Sequence, residues 1–341
     1  MAKRIAINGF GRIGRLLFRQ IMDHSELEVV AINDLGDLEN LAYLLQYDTV
    51  YGRLKEKVRV EGDMMYVGNS PVKVFQEKDP TNLPWRDLEI DVVAEATGVF
   101  NSFEKASIHV EAAGAKRVVI TAPSKDEEGV KDGKTVLMGV NEEALKTCSI
   151  SSNGSCTTNA ASPLIAILDS EIGIKKAVLT TVHGYTASQA LTDGPTKSRD
   201  FRKGRAAAAN IIPSTTGAAI SVTKALPGLA GKFDGMAMRV PVTVGSMIDV
   251  TFVAKKQTSV EEVNEILEKA AKSEVWKDIL AVTRDPIVSS DIIGQPYGSI
   301  ADLSYTKVID GDLVKVLAWY DNEWGYVTTL VQHLASAAKH T

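Results

Sequence analysis

The chain has 341 residues, 45% of them apolar and 24% charged, with a formal net charge of −5. That length predicts about two domains of ordinary globular composition, and the negative balance offers no global attraction for nucleic acid or an anionic membrane, so any phosphate must be met by local donors. No run approaches the roughly 18 apolar residues of a membrane span, the first apolar run is too short for a signal-peptide core, and two cysteines, Cys148 and Cys156, are too few for a disulfide framework, so a cytoplasmic protein is expected.

In chain order, residues 4–8 read as a buried strand and residues 12–24 as a helix, with Ile13, Leu16, Leu17 and Ile21 at helical spacing. Strands follow at 28–33, 90–94, 117–121 and 135–139, with a helix over 102–113. Strand and helix in alternation predict a parallel sheet with crossover helices. The second half differs. Residues 177–182, 235–243, 247–254 and 313–319 read as strands, with one clear helix between them, opened by the Ser259/Glu262 capping box and striped by Val263, Ile266, Leu267 and Ala270. Strands in succession predict a mixed or antiparallel sheet. The boundary falls near residue 150, residues 191–211 read as a long functional loop, and a last helix over 326–339 could pack on either domain.

Gly9-Phe10-Gly11-Arg12-Ile13-Gly14 is a G-x-G-x-x-G that follows a strand and opens a helix. Gly9 permits the tight turn, Gly11 lets the backbone approach a pyrophosphate, and Gly14 allows close helix–strand packing. The phosphates then sit at a helix N-terminus. Asp34 ends the second strand about 20 residues on, where a carboxylate bonds the ribose hydroxyls and repels a 2′-phosphate, so the expected cofactor is NAD.

Cys156 follows the small polar run Ser151-Ser152-Asn153-Gly154-Ser155. A helix beginning over 160–167, with Pro163 in its first turn, puts the thiol at or near a helix N-terminus, which is expected to lower its pKa. His24, His109, His333 and His340 fall on segments of surface-helix type. His183 ends a strand before a glycine turn and is the candidate base. Cys148 reads as structural, and two cysteines with scattered histidines form no metal-ligand cluster. Arg239 inside a strand asks for an anionic partner, and Thr157, Thr186, Ser188 and the Thr216–Gly217 pair offer hydroxyl and amide donors. A phosphate site and an ordinary ion pair with turn hydroxyls both fit that pattern.

Longer phrases carry a family resemblance: Asn8 through Arg15, Ala31-Ile32-Asn33-Asp34, Ser155-Cys156-Thr157-Thr158-Asn159, Thr180 through Thr186, Asn210-Ile211-Ile212-Pro213, and Trp319 through Tyr326. Over essentially its whole length the chain resembles the phosphorylating glyceraldehyde-3-phosphate dehydrogenases. The resemblance implies an α/β chain with a Rossmann-type parallel-sheet domain and an α+β catalytic domain whose sheet is mostly antiparallel. Residues 1–155 with the C-terminal helix 322–341 would bind NAD, and residues 156–321 would carry catalysis and oligomerisation.

The implied reaction is a step of glycolysis and gluconeogenesis. Cys156 attacks glyceraldehyde 3-phosphate, His183 assists, hydride passes to NAD, and inorganic phosphate cleaves the thioester to 1,3-bisphosphoglycerate. Arg12 and Ile13 flank the cofactor and Asn322 orients its carboxamide. Thr186 and Arg239 match the substrate-phosphate site, while Ser155, Thr157, Thr216 and Gly217 match the attacking-phosphate site. A homotetramer is implied, with residues 191–211 against a neighbour's cofactor. Ala160, Lys203, the stretch 242–247 and Thr328-Thr329 depart from the common pattern without removing a catalytic role. An erythrose-4-phosphate dehydrogenase, or a non-catalytic NAD- or RNA-binding protein on the same fold, are the competing readings. No membrane and no specific nucleic acid are expected as partners.

Overall fold

The structure, a computed structural model, describes residues 2–341. Contacts divide the chain into two units. One runs to Gly154 and takes in Val327–Thr341, and the other is Ser155–Tyr326.

The first unit holds a nine-stranded sheet. Its strands are β1 (Lys3–Asn8), β2 (Leu27–Asn33), β3 (Val58–Glu61), β4 (Met64–Val67), β5 (Ser70–Phe75), β6 (Val92–Glu95), β7 (Arg117–Ile120), β8 (Lys134–Thr135) and β9 (Ile150–Ser152), in the order β3-β4-β5-β2-β1-β6-β7-β9-β8. Every pairing from β5 to β8 is parallel. Buried on both faces, this middle is mostly apolar in sequence, and all four residues of β6, the terminal Glu95 included, are buried. The β3-β4-β5 edge is an antiparallel meander, an addition to the purely parallel sheet that the alternation predicts.

Helix α1 (Arg12–Ile21) leaves the glycine turn, and α2 (Leu38–Gln46) is capped by Asp37, whose carboxylate accepts the Asn40 N–H. The helix expected over 102–113 is instead two single turns, α3 (Phe103–Ala106) and α4 (Ile108–Glu111). They meet at Ser107, whose hydroxyl donates to the Glu104 carbonyl at 2.9 Å and competes with the helical ladder.

Two histidines expected on the surface are fully buried. His109 lies 3.1 Å from Glu95 through Nε2 and takes the Trp85 indole N–H on Nδ1 at 3.2 Å. His333 lies 2.8 Å from the Ser151 hydroxyl and 3.0 Å from Asn153 Oδ1. Polar partners from distant strands make both burials tolerable.

The second unit opens with α5 (Cys156–Glu171) and continues through β10 (Ile174–Gly184), β11 (Ile212–Thr215), α6 (Ala218–Ala225), β12 (Phe233–Val240), β13 (Ser246–Ala254), α7 (Val260–Ala271), β14 (Leu280–Thr283), β15 (Ser299–Asp302), β16 (Lys307–Ile309) and β17 (Leu313–Tyr320). The final helix is α8 (Trp324–Ala338). The sheet order is β11-β12-β10-β13-β17-β15-β14, with β16 on β17. Only β10–β12 and β14–β15 are parallel, so the sheet is mostly antiparallel.

Strand β13 alternates strictly, with Ile248, Val250, Phe252 and Ala254 buried and the residues between them half-buried. The buried set joins Leu164, Ile165 and Leu168 of α5, Val222 of α6 and Leu267 of α7 in one core, where each such side chain contributes roughly 1.5–3 kcal/mol. β12 stops at Val240, short of the expected 243, because Pro241 has no N–H to continue the ladder.

Candidate active site

Ser155 is extended (φ −105°, ψ 170°), and its hydroxyl accepts the Thr158 N–H at 3.1 Å. That cap makes Cys156 the first helical residue, four residues earlier than expected. Pro163 therefore lies in the helix interior and not in its first turn. The half-buried Cys156 Sγ is 3.3 Å from His183 Nε2.

His183 is the penultimate residue of β10, and the parallel register with β12 sets Arg239 beside it. Arg239 Nη1 is 2.6 Å from His183 Nδ1, which also lies 2.6 Å from the Gly184 carbonyl. The imidazole packs edge-on against the Tyr320 ring, with centroids 5.9 Å apart. Thr181, two residues before His183 and so on the same strand face, donates to the Met247 carbonyl at 3.0 Å and accepts from Tyr320 at 2.8 Å. Tyr320 in turn takes the Thr157 hydroxyl at 2.9 Å. This buried chain of hydroxyls holds the first turn of α5 to the strand that carries the imidazole.

Burial pushes the Cys156 thiol up, against the Arg239 charge and the Thr157 N–H, which favour the thiolate. This corrects the expected fall: loss of water outweighs the helix terminus. Burial, then the Arg239 charge, drives His183 down to about 3, with the Gly184 carbonyl opposing. The imidazole is therefore neutral near pH 7. Cys148 is buried and pushed up to about 11 by that burial, as suits an inert thiol.

Several candidate phosphate donors already have partners. Ser155 caps α5, Thr157 bonds Tyr320, and Thr186 Oγ1 lies 2.9 Å from Ser188 Oγ. Thr216 Oγ1 accepts the Ala218 N–H at 3.2 Å, and Gly217 is the N-cap of α6 with no side-chain acceptor of its own. The register pairs Arg239 with Ile212, so Thr216 lies four residues further along that chain, roughly 13 Å of strand. Arg239 and His183 are thus brought together, whereas Arg239 and the Thr216–Gly217 turn are not neighbours along the strands.

Asn322 Oδ1 accepts from the Gly245 N–H at 3.1 Å and the Ser246 hydroxyl at 2.9 Å, and Ser246 takes the Gly184 N–H at 3.2 Å. Tyr320, Thr181 and Ser246 were missed by sequence reasoning. The one available signal was strand alternation, which turns 181 and 183 to a common face.

In the first unit Gly9 has φ +97°, and a Cβ there would lie 2.6 Å from the Thr97 nitrogen. A Cβ on Gly14 would lie 2.1 Å from the Gly9 carbonyl oxygen, whereas one on Gly11 would meet nothing within 4 Å. Gly11 is the N-cap of α1 and brings no side chain to compete for the first-turn N–H groups. This cradle fits a pyrophosphate. Asp34 accepts the N–H groups of Phe10 at 2.7 Å and Gly36 at 2.8 Å. The Arg12 guanidinium pairs with Asp48, and that contact and the Val50 and Tyr51 N–H groups hold the Asp48 carboxyl below its ordinary value against burial.

A parallel-sheet unit with a glycine cradle, and a thiol opening a helix beside a neutral imidazole, define a class: nicotinamide-dependent oxidoreductases that work through a cysteine. Two family models match the chain, "Glyceraldehyde 3-phosphate dehydrogenase, NAD binding domain" over residues 3–103 and "Glyceraldehyde 3-phosphate dehydrogenase, C-terminal domain" over residues 155–322. The chain is 48% identical to a glyceraldehyde-3-phosphate dehydrogenase of Clostridium acetobutylicum, with 99% of each chain covered. It is 46% identical to that of Geobacillus stearothermophilus (98% of this chain, 99% of the relative) and 46% identical to glyceraldehyde-3-phosphate dehydrogenase 2 of Streptomyces avermitilis (97% of each). The chain belongs to the glyceraldehyde-3-phosphate dehydrogenase family.

Proposed function

We propose that the chain oxidises glyceraldehyde 3-phosphate with NAD and inorganic phosphate to 1,3-bisphosphoglycerate. The observation that carries this reading is the Cys156 sulfur, 3.3 Å from His183 Nε2 at the first residue of α5. The Cys156 proton passes to Nε2 as the sulfur adds to the aldehyde carbon and on from Nε2 to the carbonyl oxygen, giving a hemithioacetal and returning His183 to its neutral form. His183 then takes the hemithioacetal hydroxyl proton as hydride leaves the same carbon. NAD, when bound, is the hydride acceptor. The thioester is attacked by a phosphate oxygen, and the sulfur leaves as thiolate.

Gly9, Gly11 and Gly14 cradle the pyrophosphate with the Arg12 and Ile13 backbone, and Asp34 takes the ribose hydroxyls. Asn322, its oxygen already held by Gly245 and Ser246, offers Nδ2 to the carboxamide oxygen. Arg239 and Thr186 hold the substrate phosphate. Ser155, Thr157, Thr216 and Gly217 receive the attacking phosphate.

Cys156→Ser tests the mechanism: NADH formation should fall to almost nothing while NAD binding persists, and wild-type turnover would end the thiol route. Faster, phosphate-independent oxidation of erythrose 4-phosphate would move the chain to that sister activity.

The uncovered face of the second sheet supports the homotetramer. Val178 is 52% exposed there, and Leu191 and Phe201 in the loop are over 80% exposed. Sedimentation should give four times the 36.8 kDa chain, and a monomer would remove the assembly. The same reading puts the reaction in the cytoplasm, where cell fractionation should find it.

A further inference from the structure

His183 Nδ1 is claimed by two groups that cannot both have it. A guanidinium only donates, so Arg239 Nη1 at 2.6 Å requires a lone pair on Nδ1. The Gly184 carbonyl at 2.6 Å only accepts, and it requires a proton there. A neutral imidazole carries one proton. With Arg239 in place that proton sits on Nε2 and points at Cys156, so the ring has no lone pair with which to take the thiol's proton. With Arg239 gone, Nδ1–H donates to Gly184 and the Nε2 lone pair faces the sulfur. The Gly184 carbonyl has a donor in either arrangement, because Arg239 Nη1 also reaches it at 3.3 Å. Nothing is left unsatisfied in passing from one to the other.

We propose that Arg239 is a substrate-operated latch on the His183 tautomer. An anionic substrate group draws the guanidinium off Nδ1 and so turns the imidazole into the base that Cys156 needs. This rests on the reading of Arg239 as the residue that holds the substrate phosphate. The step balances: the S–H bond breaks, the Nε2–H bond forms, and the electron pair stays on sulfur for attack at the carbonyl carbon. The Arg239 charge also disfavours a protonated His183, so neutralising it on a phosphate favours the same transfer. Arg239 is then a positioning residue as well as a binding one, and the aldehyde is activated only when it arrives with its own anion.

The test is first-turnover NADH formation, which precedes thioester cleavage, using glyceraldehyde without a phosphate. Inorganic phosphite added to the wild-type enzyme should accelerate that turnover several-fold, and imidazole nitrogen NMR should show the His183 proton moving to Nδ1. Arg239→Ala should oxidise glyceraldehyde several-fold faster than wild type with no response to phosphite, while losing most of its kcat/KM on glyceraldehyde 3-phosphate. A group that only bound phosphate would leave the glyceraldehyde rate unchanged, and one that only supported the thiolate would lower it; either result overturns the latch. No acceleration of the wild type by phosphite overturns it without any variant. Undiminished kcat/KM of Arg239→Ala on glyceraldehyde 3-phosphate would instead remove the substrate-phosphate assignment, and the latch with it.

Discussion

His333 should make the first unit acid-sensitive by an amount that can be worked out. Its ring is fully buried between Ser151 and Asn153, and burial holds its pKa down at about 3, with the Arg117 charge adding to the effect. In the unfolded chain the imidazole titrates near its ordinary value of about 6.5. Below that value the unfolded chain binds a proton that the folded one refuses, so stability is lost as pH falls from about 6.5 towards 3 and is unaffected above. At about pH 5 the loss is about 2 kcal/mol for this one residue. His333→Asn should cost about 1–3 kcal/mol near pH 7.5 through the weakened contacts. That deficit should shrink by about 2 kcal/mol near pH 5, because the variant has no imidazole to titrate. Urea unfolding of both proteins at the two pH values gives the comparison, and every other titrating group cancels in the difference. A deficit that stays constant between them would refute the linkage.

Gly14→Ala should push the α1 terminus off the Gly9 carbonyl, since its Cβ would stand 2.1 Å from that oxygen. NAD binding measured by calorimetry should weaken at least about tenfold and stability should drop by about 1–3 kcal/mol. Tyr320→Phe removes the acceptor of the buried Thr157 hydroxyl, and a thermal midpoint shift equivalent to about 1–3 kcal/mol is expected. Iodoacetamide should modify Cys156 with loss of activity and leave Cys148 untouched until the protein unfolds, as peptide mapping can establish.

What was legible in the sequence was local. The glycine turn, α1 and Asp34 lie within 26 residues, and each residue's role follows from its neighbours. Ser155 and the small residues before it mark the start of α5, although Pro163 drew that start four residues late because proline favours a first turn. The end of β10 singled out His183. That Arg239 touches it depends on a parallel register between strands 56 residues apart, which no spacing reports. Tyr320 and Ser246 reach the site from other strands for the same reason. His109 and His333 read as surface residues because their partners, Glu95, Trp85, Ser151 and Asn153, come from distant segments. The β3-β4-β5 edge lies between two predicted strands and went unread, since its strands run only four to six residues each.

On the proposed function, Asp34 does two jobs with one carboxylate. The oxygens that would select the ribose also fasten Phe10 and Gly36. Cofactor preference is therefore welded to scaffold integrity. Swapping this acid to admit a bulkier phosphorylated nucleotide would slacken the phosphate cradle in the same stroke. A lineage or an engineer drifting towards that alternative would need a compensating anchor for the Phe10 amide before the switch became tolerable.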